Sequence, residues 1–327
     1  MQYTNKKHFK LWYNKEMPDI ITVKNLVKKY RSADKNAVDD ISFSVKEGEF
    51  FSLLGPNGAG KTTTISILTT TLSKSSGKIT VAGHDLDKNQ SAVRKNVGII
   101  FQNPSIDLNL TAEENIRFHA VLYGLYPFSP FFSLMPKSYR NKVYELAEVI
   151  GLKEELFKPA KTFSGGMKRK LEIIRSLIHN PKVLFLDEPT VGLDPLSRKN
   201  LWEYLSSIIK KDKLTIFLTT HYLEEAEDAD NIAIINHGKI VTYGKPEAIK
   251  KHLVKDYIVV NSAEKEKLIK ELTDKKFEFQ KNDHITIDLG KNTVQEVIQA
   301  IKTPLTSVKT HTPTLEEAYL EIVGETT

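Results

Sequence analysis

Cysteine is absent from the 327-residue chain. That excludes a disulfide framework, a thiolate metal site and a cysteine nucleophile, and it suits a reducing compartment. Long apolar runs are missing too: none approaches the roughly 18 residues that mark a membrane-crossing helix. Near the start, Phe9, Leu11 and Trp12 are interrupted by polar and charged residues, so no signal-peptide core is legible. Excess charge of one sign is small. Lysine and arginine number 47 against 41 acids, for +6, and the lysines are interleaved with acids, as in Glu264–Lys270. A solvated surface accounts for this pattern, and a nucleic-acid partner is disfavoured. What remains is ordinary globular material, 40% hydrophobic and 27% charged, enough for one large domain or two.

The most informative stretch is Phe51–Thr64, FFSLLGPNGAGKTT. A buried-strand run, Phe51 to Leu54, breaks at Gly55-Pro56-Asn57-Gly58. A segment with Ile65, Leu68 and Leu72 on one helical face then follows. Gly55, Pro56, Asn57, Gly58, Ala59, Gly60, Lys61 and Thr62 fit G-x-x-x-x-G-K-[ST], the phosphate-binding loop. Glycine lets backbone N–H groups curl toward a phosphate, and the following helix start adds about half a positive charge. Lys61 can reach β- and γ-phosphates, and the Thr62 hydroxyl can hold Mg²⁺. A chance match has odds on the order of one in a hundred in a chain of this length.

Before the loop, residues Ile20 to Tyr30 and Ala37–Val45 read as strands. After it come Lys78–Ala82 and Val97–Phe101, the latter ending at Gln102. Helical signals dominate to about residue 180. Thr111 and Glu114 form a capping box, with Ile116, Ala120 and Tyr123 on one face behind it. A further helix, Ser138–Ile150, ends at Gly151. Between these helices Tyr126–Pro136, YPFSPFFSLMP, is aromatic and uncharged: a docking or membrane-touching loop, or one packed on its own helices. Lys182–Leu186 is an apolar strand ending in Asp187-Glu188. Asp194-Pro195 starts a helix. Thr215–Thr219 ends at His221, and Ile232–Ile235 with Ile240–Tyr243 forms a hairpin. Alternating strands and helices predict a mostly parallel sheet covered on both faces, with ligands at the strands' carboxyl ends. Gln102, Asp187 and His221 all fall there. Beside a phosphate loop, an aspartate at a strand end can fix magnesium through water, and the adjacent glutamate faces the attacking water.

From about residue 257 the order becomes β-α-β-β-α-β, with a last helix capped by Thr314 and Glu317. No catalytic constellation is visible there. Residues 1–18, with Lys6, Lys7, Lys10 and Lys15 among aromatics, read as a disordered tail or a short interfacial helix.

Taken together, Gly55–Thr62, Gln102, Ser164-Gly165-Gly166, Val183–Thr190 (VLFLDEPT), Gly192-Leu193-Asp194 and His221 resemble an ABC transporter ATP-binding subunit over roughly Asp19–Gly244. FSGGMKRKLEI and TPTLEEAYLEIVG are similar to the daunorubicin/doxorubicin-resistance type of that family. The resemblance implies an α/β P-loop NTPase core with an antiparallel β subdomain and an α-helical subdomain near 105–180, together making domain 19–250. The smaller unit at 257–327 is read as α+β and ferredoxin-like. It also implies ATP and Mg²⁺ as cofactors, with Thr62, Gln102 and Asp187 toward the metal. Tyr30 falls where the family stacks adenine, and Gly58, Ala59, Gly60, Lys61, Thr62 and Thr63 hold phosphates. By the same resemblance Lys61, Gln102, Glu188 and His221 would be the catalytic set. Ser164, Gly165, Gly166 and Asp194 would act on the nucleotide of a second copy or a related ATPase subunit.

The signature reads Phe163–Met167, FSGGM, where the family's common form is LSGGQ, so the glutamine's contact is lost. The implied role is motor subunit of an exporter of a drug-like or other amphipathic compound. It would sit on the cytoplasmic side of the membrane and dock on a separate permease. Two alternatives stand beside it: an ABC-type ATPase acting on nucleic acid or ribosomes, and a non-hydrolysing regulator.

Overall fold

The computed structural model describes residues 18–103, 105–253, 256–281, 284–290, 292–311 and 314–324. The expected tail at 1–18 lies outside the described residues except for its last position. Two compact units follow each other in the chain, divided between Val241 and Thr242.

In the first unit, Phe50–Leu54, Val183–Asp187 and Thr215–Thr220 are buried at every position. Strands with no exposed face belong in a parallel sheet covered on both sides, and that is where they lie. The order is Lys239–Gly244, Asn231–Asn236, Phe50–Leu54, Thr215–Thr220, Val183–Asp187, Val97–Ile100. The last five pair in parallel. The hairpin between Asn231–Asn236 and Lys239–Gly244 turns at His237 and Gly238, both at positive φ, which matches the twist of a two-residue turn. A second sheet places Asp19–Lys28 antiparallel between Val38–Lys46 and Ser76–Val81, with His84–Asp85 beyond. Phe43 of that sheet stacks on Phe51 at 5.4 Å, and Phe51 meets Phe217 at 5.1 Å. Each such ring pair contributes about 0.5–1.5 kcal/mol beyond simple burial. The phosphate-loop strand is therefore clamped from both sheets.

The helical part contains Ala112–Leu122, Lys137–Ile150 and Gly165–Leu177. Thr111 and Glu114 form both halves of the expected capping box. Gly151 closes the middle helix in the left-handed conformation. One expectation fails at the phosphate-loop helix. It spans Lys61–Leu68, so Leu72 is not on it. The Thr69 hydroxyl bonds back to the Ile65 carbonyl and Thr70 turns to φ 65°, so the threonine run ends the helix a turn early. Three helices escaped the sequence reading, Gln90–Asn96, Leu223–Ala226 and Pro246–Leu253.

The second unit forms a four-stranded sheet in the order Phe279–Lys281, Ile285–Asp288, Tyr257–Asn261, Ser307–His311. Every pairing is antiparallel, as a ferredoxin-like βαββαβ chain requires. Helices Lys265–Asp274 and Val294–Ala300 contribute Leu268, Leu272 and Val297 to its core. Glu271 ties the chain beyond the second of these helices to the first. Its carboxylate accepts from the Thr303 hydroxyl at 2.7 Å, the Lys302 N–H at 2.7 Å and the Thr303 N–H at 2.9 Å, with Lys275 at 3.1 Å. The Thr303 hydroxyl first, then the Lys302 N–H, pushes its pKa down to about 2 from 4.5. A lowered folded pKa gives stability that is complete above about pH 4.5 and lost as pH falls toward 2. Amide exchange at Ile258 and Val260, corrected for intrinsic pH dependence, is expected to accelerate across that window. In Glu271→Gln the acceleration should be smaller.

Candidate active site

Neighbouring parallel strands deliver their carboxyl ends side by side, and the predicted residues arrive in sheet order. The phosphate loop follows Leu54, His221 follows Thr220, Glu188 follows Asp187, and Gln102 lies just past Ile100. A cleft of about 470 Å³ opens there. Asn57, Gly58, Gly60, Lys61, Thr62, Thr63, Gln102, Glu188 and His221 line it.

Glu188 is the hub. One carboxylate oxygen, Oε1, lies 3.3 Å from Lys61 Nζ and 3.3 Å from His221 Nδ1. The other accepts from Gln102 Nε2 at 3.2 Å. No hydrogen bond completes the His221 Nδ1 approach, so that buried ring nitrogen is left unsatisfied. Glu188 itself sits at φ 46°, a left-handed conformation uncommon for a side chain of this kind, with its N–H bonded to the Thr219 carbonyl at 2.9 Å. Backbone strain of this sort costs on the order of 1–3 kcal/mol and persists only where surrounding contacts enforce it.

Lys61 opens its helix and is 4% exposed. Its ammonium also donates to the Gly55 carbonyl at 2.7 Å and the Pro56 carbonyl at 3.1 Å. Asp187 is buried. The Thr62 hydroxyl donates to it at 3.4 Å, and the Thr219 hydroxyl donates to the same oxygen. Burial raises the Asp187 pKa above the ordinary aspartate value, and the two hydroxyls and Lys61 oppose the shift.

Gly58 stands at φ 80° and a Cβ there would meet nothing within 4 Å, so the cleft reaches its backbone. At Gly60, φ 111°, a Cβ would fall 2.5 Å from the Ala37 carbonyl. Both positions require glycine, for different reasons. Gly55, Pro56 and Ala59 shape the loop without lining the cleft. The donor set fits a triphosphate: an ammonium, an exposed glycine backbone, two threonine hydroxyls and a helix start. The Thr62 hydroxyl, the Asp187 carboxylate and the Gln102 amide form a hard-oxygen set of the kind Mg²⁺ takes alongside phosphate oxygens and water. Among the described residues no cluster of three or more His, Cys, Asp or Glu could hold a metal by itself.

Tyr30 is half exposed at the edge of the loop, its hydroxyl 3.2 Å from Thr63 Oγ1. The signature residues are elsewhere. Ser164 caps helix Gly165–Leu177 by accepting from the Met167 N–H. With Gly166, Leu193 and Ser197 it lines a separate hollow of about 100 Å³. Asp194 caps the helix Pro195–Asp212 through the Ser197 N–H at 3.0 Å; the Ser197 hydroxyl first, and then this N–H, lower its pKa. A Cβ added at Gly165 would come no nearer than 4.0 Å to Leu193 Cδ2. One folded chain thus separates the two predicted halves.

Two further groups were not foreseen. Arg169, on the signature helix, donates to the carbonyls of Phe101 at 2.7 Å and Gln102 at 3.2 Å, and pairs with Glu172 at 2.8 Å. Glu172 in turn accepts from the Ser105 N–H at 2.9 Å. Buried Glu225 accepts from the Thr220 hydroxyl at 2.7 Å, from the Thr190 hydroxyl, and from Trp202 Nε1 at 3.4 Å. The carbonyls that Arg169 reaches lie 67 and 68 positions away, and Thr190 and Trp202 lie 35 and 23 positions from Glu225, so these contacts leave no local signal.

Comparison with known proteins fits this geometry. The ABC transporter family matches residues 38–191. The Bacillus subtilis (strain 168) "Uncharacterized ABC transporter ATP-binding protein YhcH" is 30% identical over 316 residues, 95% of this chain and 98% of that protein. This chain is an ABC transporter ATP-binding protein. Among other ABC relatives, the "Probable multidrug ABC transporter ATP-binding protein YbhF" of Escherichia coli (strain K12) is 37% identical over 237 residues. That match takes in 72% of this chain and 39% of YbhF, so the chain spans about two fifths of that relative's length. The linearmycin resistance ATP-binding protein LnrL of Bacillus subtilis (strain 168) is 37% identical over 241 residues, 73% of this chain and 74% of LnrL. A solved ATP-binding subunit of an ABC transporter superposes with a TM-score of 0.62 at 30% identity, covering 71% of this chain and 92% of that one. The core is thus the ABC ATPase form of the P-loop fold.

Proposed function

We propose that this ABC protein binds Mg·ATP in the cleft and hydrolyses it, working as a pair of cassettes that drives export through a separate membrane permease. The observation that carries the reading is the Glu188 carboxylate, held between Lys61, Gln102 and His221 directly over a phosphate loop.

In the reaction, water attacks the γ-phosphorus, the bond to the bridging oxygen breaks, and ADP leaves with the electron pair. The transition state is loose, so positioning and charge stabilisation supply most of the acceleration. Glu188 orients the water and accepts its hydrogen bond. Lys61 and His221 face the oxygens on which charge accumulates, each contributing about 3 kcal/mol if typical of preorganised donors. Thr62, Asp187 and Gln102 would hold Mg²⁺, which when bound would neutralise phosphate charge. Tyr30 supports the adenine side.

Ser164, Gly165, Gly166 and Asp194 would serve the nucleotide of the second subunit, either another copy or a related ATPase. The place of Ser164 and Gly166 in a hollow apart from the cleft supports that division. A cargo of drug-like or amphipathic character is supported by the multidrug and linearmycin-resistance relatives. No helix among the described residues is long and apolar enough to cross a membrane. In this reading the chain sits peripherally on the cytoplasmic face, held by permease subunits. Lys61→Ala is expected to weaken ATP binding at least tenfold in a nucleotide titration. Unchanged affinity would remove the phosphate loop from the site.

A further inference from the structure

Between Phe118 and Tyr144 the chain contains three bases, Lys137, Arg140 and Lys142, and no acid; the next residue, Glu145, lies 4.0 Å from Lys142. The same stretch carries a chain of exposed apolar side chains. Leu122 is 84% exposed, Phe128 59%, Phe131 65% and Leu134 65%. Phe118 lies one helical turn before Leu122 on Ala112–Leu122, and its ring stacks against Phe128 at 6.0 Å. The helix face and the loop therefore form one patch. Large apolar side chains clustered in water mark an interaction surface.

The loop does not project them for lack of an anchor. The Arg117 guanidinium, buried beside Glu113 at 3.3 Å, donates to the Ser129 carbonyl at 3.0 Å. Phe132 turns inward to meet Phe157 at 5.3 Å, Tyr144 at 5.5 Å and Tyr139 at 6.1 Å. Met135 is buried. With its underside fastened at Ser129, Phe132 and Met135, the loop keeps Phe128, Phe131 and Leu134 turned outward.

We propose that this patch is a lipid-contact surface, in which Phe128, Phe131 and Leu134 enter the headgroup boundary of an anionic phospholipid membrane while Lys137, Arg140 and Lys142 meet the phosphates. Apolar tips flanked by a surplus of bases, three against the single adjacent Glu145, are the composition of interfacial anchors. A groove on a protein partner would not require that charge asymmetry. The inference does not depend on ATP hydrolysis.

The test is sedimentation of the full chain with vesicles of phosphatidylcholine alone or with one third phosphatidylglycerol. The chain is expected to bind the anionic vesicles, and less so in high salt. The triple variant Phe128→Ser, Phe131→Ser, Leu134→Ser should lower partitioning at least tenfold while ATP affinity, the folding control, stays as in the parent. Lys137→Glu with Lys142→Glu should lower binding to anionic vesicles and leave neutral ones unchanged. Three results would overturn the proposal. One is absence of binding to anionic vesicles; a second is full binding by the triple variant, which would assign contact to another segment such as residues 1–17. The third is membrane association that appears only with a permease present, which would make the patch a protein-docking surface.

Discussion

Glu188→Gln should bind ATP at least as tightly as the parent protein and turn it over roughly 10²–10⁴-fold more slowly, the range for loss of a positioned acid–base group. The sign of the binding effect follows from the contacts. The Glu188 carboxylate competes with phosphate for the Lys61 ammonium at 3.3 Å. Neutral glutamine keeps the shape and removes the competitor, so phosphate gains a more available cation. With hydrolysis blocked, the sandwich with a second subunit should accumulate, and light scattering with Mg·ATP should register a doubled mass. Steady-state turnover equal to the parent's would end the assignment of Glu188. A mass that stays single, with ATP bound, would instead count against the shared-site arrangement of Ser164 and Gly166.

The second large effect concerns folding as much as catalysis. Arg169 is 4% exposed and Glu172 1%, and they meet at 2.8 Å. Burial disfavours the Arg169 charge and Glu172 opposes that shift. Glu172→Ala leaves the guanidinium buried without its counter-charge, a change that typically costs about 3–5 kcal/mol. Urea unfolding followed by Trp202, which packs on Phe50 in the same unit, should move accordingly. The double variant Arg169→Met with Glu172→Leu should regain most of that stability, since an apolar pair avoids the desolvation of both ions. It should not regain turnover, because the carbonyls of Phe101 and Gln102 lose their donor and the Gln102 segment loosens.

These two predictions divide along what the sequence makes legible. The phosphate loop could be read directly, because Gly55–Thr62 is a local pattern whose spacing has one mechanical purpose. The strand-end positions of Asp187, His221 and Gln102 were readable because fully apolar strands such as Val183–Asp187 announce a buried parallel sheet, and ligands collect at one end of it. Thr111 with Glu114 was readable for the same reason of locality. Arg169, Glu172 and Glu225 were not. Each sits in a helix rich in charges, where a buried ion looks like any solvated one until its distant partners are seen. Helix Gln90–Asn96 escaped because it buries only Val93, which leaves no periodic signal. Leu72 was misplaced because helical periodicity ignores the competition of threonine hydroxyls for the backbone, which ended Lys61–Leu68 early.

Glu225 has one more implication. Its carboxylate is a common mooring for Thr190, Thr220 and Trp202, which belong to three different stretches of chain. Thr190 precedes the loop that carries Asp194, and Thr220 precedes His221. A displacement of either loop is therefore shared with the other through a single side chain. The Asp194 loop and the strand end at His221 are thus braced on one carboxylate.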